Sequence, residues 1–154
     1  VAISLTSPVA GSAQTGLTSP TYTVLVDQAP DVNAKQHYVN ALGGTQSGVR
    51  VHTAADPFTI SFWKEKIIKI LPQLSLNGQY GNVPTNKYKV ITRKGVLVAA
   101  SQPSRPCIIR TEIECPAGAE SYDIANVRAA LSLHIGGLTQ QSAGFGDTVN
   151  AGSL

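Results

Sequence analysis

Methionine is absent from these 154 residues, tryptophan occurs once, cysteine twice, and charged residues make up only 14% of the chain. Two cysteines cannot form the disulfide framework of a small secreted domain. Cys107 and Cys115 lie eight residues apart. On one strand that is roughly 26 Å of rise, too far for the two to bridge each other. A bridge between subunits through Cys107 stays open. No run approaches the roughly 18 apolar residues of a membrane-spanning helix, so no membrane partner is expected. Val1–Leu5 is too short for a signal-peptide core and lacks a basic flank. A start at Val in a chain without Met agrees with loss of an initiator Met from a cytosolic product.

What is present is positive charge, gathered in the middle. Residues 50–110 hold ten of the twelve Lys and Arg (Arg50, Lys64, Lys66, Lys69, Lys87, Lys89, Arg93, Lys94, Arg105, Arg110) against Asp56 and Glu65, a net of +8. The rest carries two bases against seven acids, a net of −5. Around Lys87–Lys94 the sequence has four bases and no acid. Such like charges repel unless a polyanion neutralises them. The competing reading is a basic edge strand that discourages aggregation.

Gly, Ser, Thr and Pro are abundant, which favours strands and turns, and 154 residues suffice for one domain with a real core. Residues 1–20 are a Ser/Thr/Gly-rich lead, either a flexible arm or an ordered edge, with one strand-like piece at Ala2–Leu5. Tyr22–Val26 reads as a strand with Gln36–Val39 as its hairpin partner. Ala41–Gly48 reads as a loop and Val49–Thr53 as a short strand. Phe58–Trp63 alternates cleanly, with Phe58, Ile60 and Phe62 opposite Thr59, Ser61 and Trp63. The pattern slips at Lys64–Leu71, where strand is favoured over a short helix, and Pro72–Thr85 reads as turns with room for one short strand. Lys87–Arg93 sets Lys87, Lys89 and Arg93 against Tyr88 and Val90. Val96–Ala100 reads as a further strand, Ser101–Pro106 as a loop, and Cys107–Cys115 as the last strand.

Helical periodicity then takes over. Ile124, Val127, Leu131, Ile135 and Leu138 form one apolar stripe, with Ser121 as expected N-cap and Gly136-Gly137 as expected end. A shorter helix is expected over Asp147–Ala151. Strands first and helices last make the fold class α+β, an antiparallel sheet with segregated C-terminal helices.

Catalytic patterns are poor. His37, His52 and His134 have no ligand spacing, no phosphate loop or nucleophile elbow is present, and no metal or cofactor is expected. Glu112 and Glu114 share a strand face, where pairing with neighbouring Lys or Arg is the ordinary reading and acid–base catalysis the less ordinary one. Trp63 fits core or interface better than a base-stacking platform.

Three stretches carry a family resemblance: Thr21–Asp27 (TYTVLVD), Asn86–Thr92 (NKYKVIT) and Thr111–Leu138 (TEIECPAGAESYDIANVRAALSLHIGGL). In this order they resemble the coat proteins of small single-stranded RNA bacteriophages (levivirus-like). The resemblance implies one coat-protein domain over 1–154, with the hairpin and sheet in 21–116 and dimerising helices in 119–154. It implies an N-terminal hairpin, a five-stranded antiparallel sheet and two C-terminal helices in an interlocked homodimer, with Ile124, Val127, Leu131 and Ile135 at the dimer interface. Such dimers build an icosahedral T=3 shell, the virion capsid, made in the bacterial host cytoplasm. The joined sheet faces single-stranded RNA inside, and in family members it also binds an RNA hairpin as a translational repressor. Carried over strand by strand, the RNA-facing residues are Thr59, Ser61, Lys87, Lys89, Arg93 and Arg110, and most of the acidic charge falls outside. Segment 64–85 departs from the family pattern and is longer than usual. Loop 99–106 matches the family's fivefold and quasi-sixfold contact. The competing function is a stand-alone RNA- or single-strand-binding β-domain that forms no shell; a small enzyme is disfavoured by the missing constellation.

Overall fold

The alternation of Phe58–Trp63 and Lys87–Arg93 becomes the centre of a sheet. The computed structural model describes residues 2–154 and orders β1 (Val9–Ala10), β2 (Thr18–Asp27), β3 (Ala34–Thr45), β4 (Phe58–Trp63), β5 (Thr85–Val96) and β6 (Arg105–Pro116) side by side in chain order. Every neighbouring pair is antiparallel. The class is α+β as expected, with six strands rather than five because the lead adds β1. Its strand is Val9–Ala10, not Ala2–Leu5. Residues before it still run along the sheet: Ser7 Oγ accepts the Val24 N–H at 3.1 Å, and Lys35 Nζ donates to the Ile3 carbonyl at 2.9 Å.

Residues directly opposite each other share a face. The register sets Phe58, Ile60 and Phe62 of β4 beside Lys94, Thr92 and Val90 of β5, and Val90 beside Thr111 of β6. This apolar face also carries Val24 and Val39, both buried, and Tyr22, whose ring meets Phe58 edge-on at 5.6 Å. The opposite face carries Thr59, Ser61 and Trp63 beside Arg93, Ile91 and Lys89.

The expected loop Ala41–Gly48 is strand up to Thr45, because β2 is long enough to pair with all of that stretch. The hairpin stays paired past a kink at Ser19-Pro20, where Ser19 has φ 44° and the register shifts. Gly44, at φ 70°, lies so close to the Ser19 carbonyl that a side chain there would collide with it. Val49–Thr53, expected as a strand, is irregular and contributes one ladder-like bond, His52 N–H to the Val39 carbonyl at 3.0 Å. Val96–Ala100 is not a separate strand: β5 ends at Val96 and the chain turns. Lys64–Leu71 is neither strand nor helix, since its backbone is held by side chains instead of by a neighbouring strand.

Three helices follow: α1 (Ala119–Tyr122), α2 (Ile124–Gln140) and α3 (Ser142–Ala151). Ser121 is not the N-cap, because it lies inside α1, which starts after Gly118 at φ 94° with Glu120 accepting the Gly118 N–H at 2.8 Å. Asp123 breaks the path at φ −131° and precedes α2. Gly136-Gly137 does not end α2, which continues to Gln140. The glycines cost about 1 kcal/mol each in a helix, yet the ladder runs through them, with the Gln141 N–H bonded to the Gly137 carbonyl at 3.0 Å. α3 covers the expected short helix and extends it towards its N-terminus. Among the described residues no helix is long and apolar enough to cross a membrane.

α1 rests on β6, and α2 meets α1 and α3 where the helices join end to end. Ile124, Val127 and Leu131 of α2 are half-buried and line an open cavity of about 670 Å³, with Phe62, Val90 and Ile113 on its sheet side. Further along, Ile135 is 59% exposed and Leu138 39%. Among the described residues the buried apolar set is only Val24, Val39, Ile91, Cys115 and Ala117. A chain of this length normally buries far more.

Candidate nucleic-acid interface

The period of two along β4, β5 and β6 delivers the expected residues to one face. Across β5 and β6, Lys87 stands opposite Glu114, Lys89 opposite Glu112, Ile91 opposite Arg110, and Arg93 opposite Ile108. Across β4 and β5, Thr59 stands opposite Arg93, Ser61 opposite Ile91, and Trp63 opposite Lys89. Thr59, Ser61, Lys87, Lys89, Arg93 and Arg110 therefore share a surface.

They do not share accessibility. Thr59 is 5% exposed and Ser61 0%. Both are short side chains between larger ones: Tyr38 and Arg93 flank Thr59, Gln36 and Ile91 flank Ser61. The Ser61 hydroxyl is also occupied, donating to the Ile91 carbonyl at 3.3 Å and accepting the Trp63 indole N–H at 3.0 Å. Thr59 and Ser61 lie on the expected face, and in the described chain they form its floor. Size of neighbours decides this, and alternation alone carries no information about it.

The uncompensated charge around Lys87–Lys94 is corrected. Its acids come from another strand. Lys87 Nζ lies 2.9 Å from Glu114 and 3.4 Å from Glu112, and Lys89 Nζ lies 4.0 Å from Glu112. Glu114 first and then Glu112 hold the Lys87 ammonium above its ordinary value, and Lys87 holds the Glu114 carboxyl below its own. Lys94 is turned to the apolar side, 3.3 Å from Asp56 and over the Phe58 ring at 5.1 Å. Two of the acids counted in the flanking −5 thus sit on the basic face itself. The ordinary reading of Glu112 and Glu114, pairing with neighbouring bases, is what the geometry has.

Elsewhere Arg50 pairs with Asp56, Lys66 with Asp31 at 3.3 Å, and Lys69 with Glu65 at 3.7 Å. Of the ten central bases, all within the described residues, Lys64, Arg93, Arg105 and Arg110 have no carboxylate within 4.0 Å. Arg105 stands opposite Val96, one step out of phase with Arg93, which puts it on the other side of the sheet. Two guanidinium groups on the basic face are left with no acid.

The histidines stay apart. His37 is buried, His52 Nδ1 accepts the Phe58 N–H at 3.0 Å, and His134 is exposed on α2. Among the described residues no group of three or more His, Cys, Asp and Glu side chains comes together. Cys107 is exposed and Cys115 buried, both as free thiols. Sequence reasoning missed the Asp56 cluster and the contact of the lead with α3. Both join residues more than 35 apart in the chain or unite elements whose order gives no hint of proximity.

No protein-family model matches the chain, and no curated protein matches it. Among solved structures it is similar to a chain of the virus-like particle of bacteriophage ESE020, at 50% identity and a TM-score of 0.98, over 99% of this chain and 100% of that one. A weaker likeness is to the virus-like particle of Wenzhou levi-like virus 4, at 17% identity and a TM-score of 0.46, over 79% of this chain and 72% of that one.

Proposed function

The chain belongs to the coat proteins of small RNA bacteriophages, structural subunits of a many-subunit virion shell, and from that premise we propose that it dimerises and assembles around single-stranded RNA held on the face of Lys87, Lys89, Arg93 and Arg110. The observation that carries the RNA reading is the pair of exposed or half-exposed arginines left without an acid on the face they share with Lys87 and Lys89. Phosphates would take the place of those acids and release counterions on binding.

Dimerisation is supported by what the chain leaves uncovered. β6 closes the sheet with twelve residues and pairs only with β5, so its outer edge is a long unpaired ladder, ready to join that of a second copy. The cavity beside Ile124, Val127 and Leu131 and the exposed Ile135 would be covered by the same partner. On this reading 1–154 acts as one coat-protein domain, and the shell is icosahedral with T=3 geometry. A repressor role on one RNA hairpin would need contacts to base edges, and the buried Thr59 and Ser61 offer none. The proposal is therefore confined to phosphate-directed binding.

Negative-stain microscopy with sedimentation and ultraviolet absorbance of the purified protein tests it. Closed particles of uniform size containing RNA, dissociating to dimers, are expected. A protein that binds RNA yet remains a small monomer or dimer at every concentration would instead be a stand-alone RNA-binding domain.

A further inference from the structure

The four cations of the basic face divide into two pairs with different surroundings. Lys87 and Lys89 lie at the end of β5 near Thr85 and share Glu112 and Glu114 across the β5–β6 ladder. Two positive and two negative charges there leave that end close to neutral. Arg93 lies towards the other end, near the turn that joins β5 to β6, and Arg110 lies in mid-strand, in register between Lys89 and Arg93. Arg110 stands opposite Ile91, two residues from Arg93 on the same strand face, so the two arginines are diagonal neighbours, about 7–8 Å apart at their bases. Ile91 and Ile108 fill the other diagonal, and neither supplies charge.

We infer that the Arg93–Arg110 pair is the phosphate-binding element of this coat protein, a two-guanidinium fork for the backbone of single-stranded RNA irrespective of sequence, while the Lys87–Glu114–Lys89–Glu112 ladder is already satisfied and contributes little to RNA affinity. This deepens the reading proposed above and rests on it. Guanidinium suits the task because it presents paired donors to phosphate oxygens in a fixed plane and stays charged at any working pH. The floor beneath is apolar or sealed: Ile91 and Thr59 are buried, and the Ser61 hydroxyl is engaged by Trp63 and Ile91. The nearest polar side chains on that face are Tyr38, opposite Thr59, and Glu112, two residues along from Arg110. If two copies join along β6, Arg110 of each copy stands on the strand next to the seam, so the two forks become parts of one continuous positive track.

The experiment measures binding of a labelled polyuridylate oligonucleotide to the dimer over a range of NaCl concentrations. Three double variants are compared with the parent: R93Q with R110Q, K87Q with K89Q, and E112Q with E114Q. Loss of two phosphate contacts should flatten the logarithmic salt slope by about 1.4 in the arginine variant. The lysine variant should keep the parental slope. The glutamate variant frees two ammonium groups and should steepen the slope by about as much, a gain that misfolding cannot imitate. Flattening in the lysine variant equal to that in the arginine variant, or no steepening in the glutamate variant, would overturn the division. Parental binding that none of the three alters would overturn the fork and leave RNA binding in place at another surface. No binding by the parent itself would overturn both.

Discussion

The side chain of Asn86 closes on the backbone of Lys69 from both directions: its Oδ1 accepts the Lys69 N–H at 2.8 Å and its Nδ2 donates to the Lys69 carbonyl at 3.0 Å. Asn86 is 2% exposed, and it replaces a missing neighbour strand for a segment with no regular structure. Lys69 Nζ adds a bond to the Thr85 carbonyl at 3.0 Å, and Glu65 accepts the Lys87 N–H at 2.9 Å. Segment 64–71 is thus tied to the start of β5 through side chains. Asn86→Ala removes both carboxamide bonds and should cost about 2 kcal/mol, a fall of about 4–8 °C in the protein's unfolding midpoint. Asn86→Asp should be worse, because a carboxylate cannot donate to the Lys69 carbonyl and would be buried. Differential scanning fluorimetry gives the midpoint, and limited proteolysis should cut first within 64–84. An unchanged midpoint in both variants would show that the segment is held by something else.

The helix stripe makes a separate prediction about association. Val127 and Leu131 line the cavity over the apolar face without filling it, while Ile135 on the same stripe is 59% exposed. Val127→Asp or Leu131→Asp should leave the strands folded and abolish the dimer, since a carboxylate in a dry interface costs several kcal/mol. Sedimentation velocity reads the loss directly. Dimers persisting in both variants would place the interface elsewhere.

How much of this was legible in the sequence depends on what each element answers to. β4 was readable to the residue, because both its faces alternate against paired neighbours and local pattern suffices. The α+β class followed from strands preceding helices. Segment 64–71 was not readable: its register is set by Asn86, seventeen residues beyond Lys69, and no periodicity records a side chain standing in for a strand. The length of α2 was underread because two glycines look like a stop, although the helix runs through them to Gln140. At the candidate site, alternation correctly put six residues on one face. It could not show that Ser61 lies beneath Trp63, or that Glu112 and Glu114 face Lys87, because cross-strand register is a property of the pairing and not of either strand. The charge sum was right and its neutralisation invisible.

Asp56 gives the structure an acid-sensitive joint. Its carboxylate takes the Arg50 guanidinium on one oxygen and Lys94 Nζ at 3.3 Å on the other. The same two cations bond the Gly95 carbonyl, at 3.1 Å and 3.0 Å, and Ser104 Oγ donates to the Ala55 carbonyl at 2.6 Å. The cluster therefore pins the end of β5 and the loop that follows it. Arg50, the larger influence, and Lys94 hold the Asp56 carboxyl below its ordinary value. A depressed carboxyl contributes stability that is complete above its unfolded value and is lost as pH falls through the folded one. Stability from this joint should accordingly be flat near neutrality and decline below about pH 4. Asp56→Asn should lower the unfolding midpoint by about 2–4 °C at neutral pH and reduce the difference from the parent as the solution is acidified. Asp31 and Glu114 are lowered too, so the parent-minus-variant difference, not the raw acid profile, is the quantity that tests Asp56. A difference that stayed constant down to about pH 2 would exclude the joint.

The lead clasps the far end of the helical arm. Gln14 Nε2 donates to the Ser142 carbonyl at 2.7 Å and to its hydroxyl at 2.9 Å, and Thr15 Oγ1 donates to Asp147 at 3.0 Å. A tight turn with Gly16 at φ 85° presents both residues, closed by a bridge between Gln14 and Leu17. Gly146 of α3 is the other half of the fit, because the Gln14 carboxamide oxygen occupies the space a side chain at 146 would take. Since α2 and α3 bury no side chain in this chain, this grip helps to fix where the arm points. Gln14→Ala removes two hydrogen bonds, and Gly146→Ala expels the same carboxamide, so both act on one contact. Gln14→Ala should cost about 1 kcal/mol; Gly146→Ala loses the same contact but gains about 1 kcal/mol of helix propensity, so it should be near neutral alone and stabilising by about 1 kcal/mol in the Gln14→Ala background. Hydrogen exchange should quicken in α3 while β4 and β5 keep their protection. The same effect of Gly146→Ala in both backgrounds would mean that the lead and α3 are neighbours without being coupled.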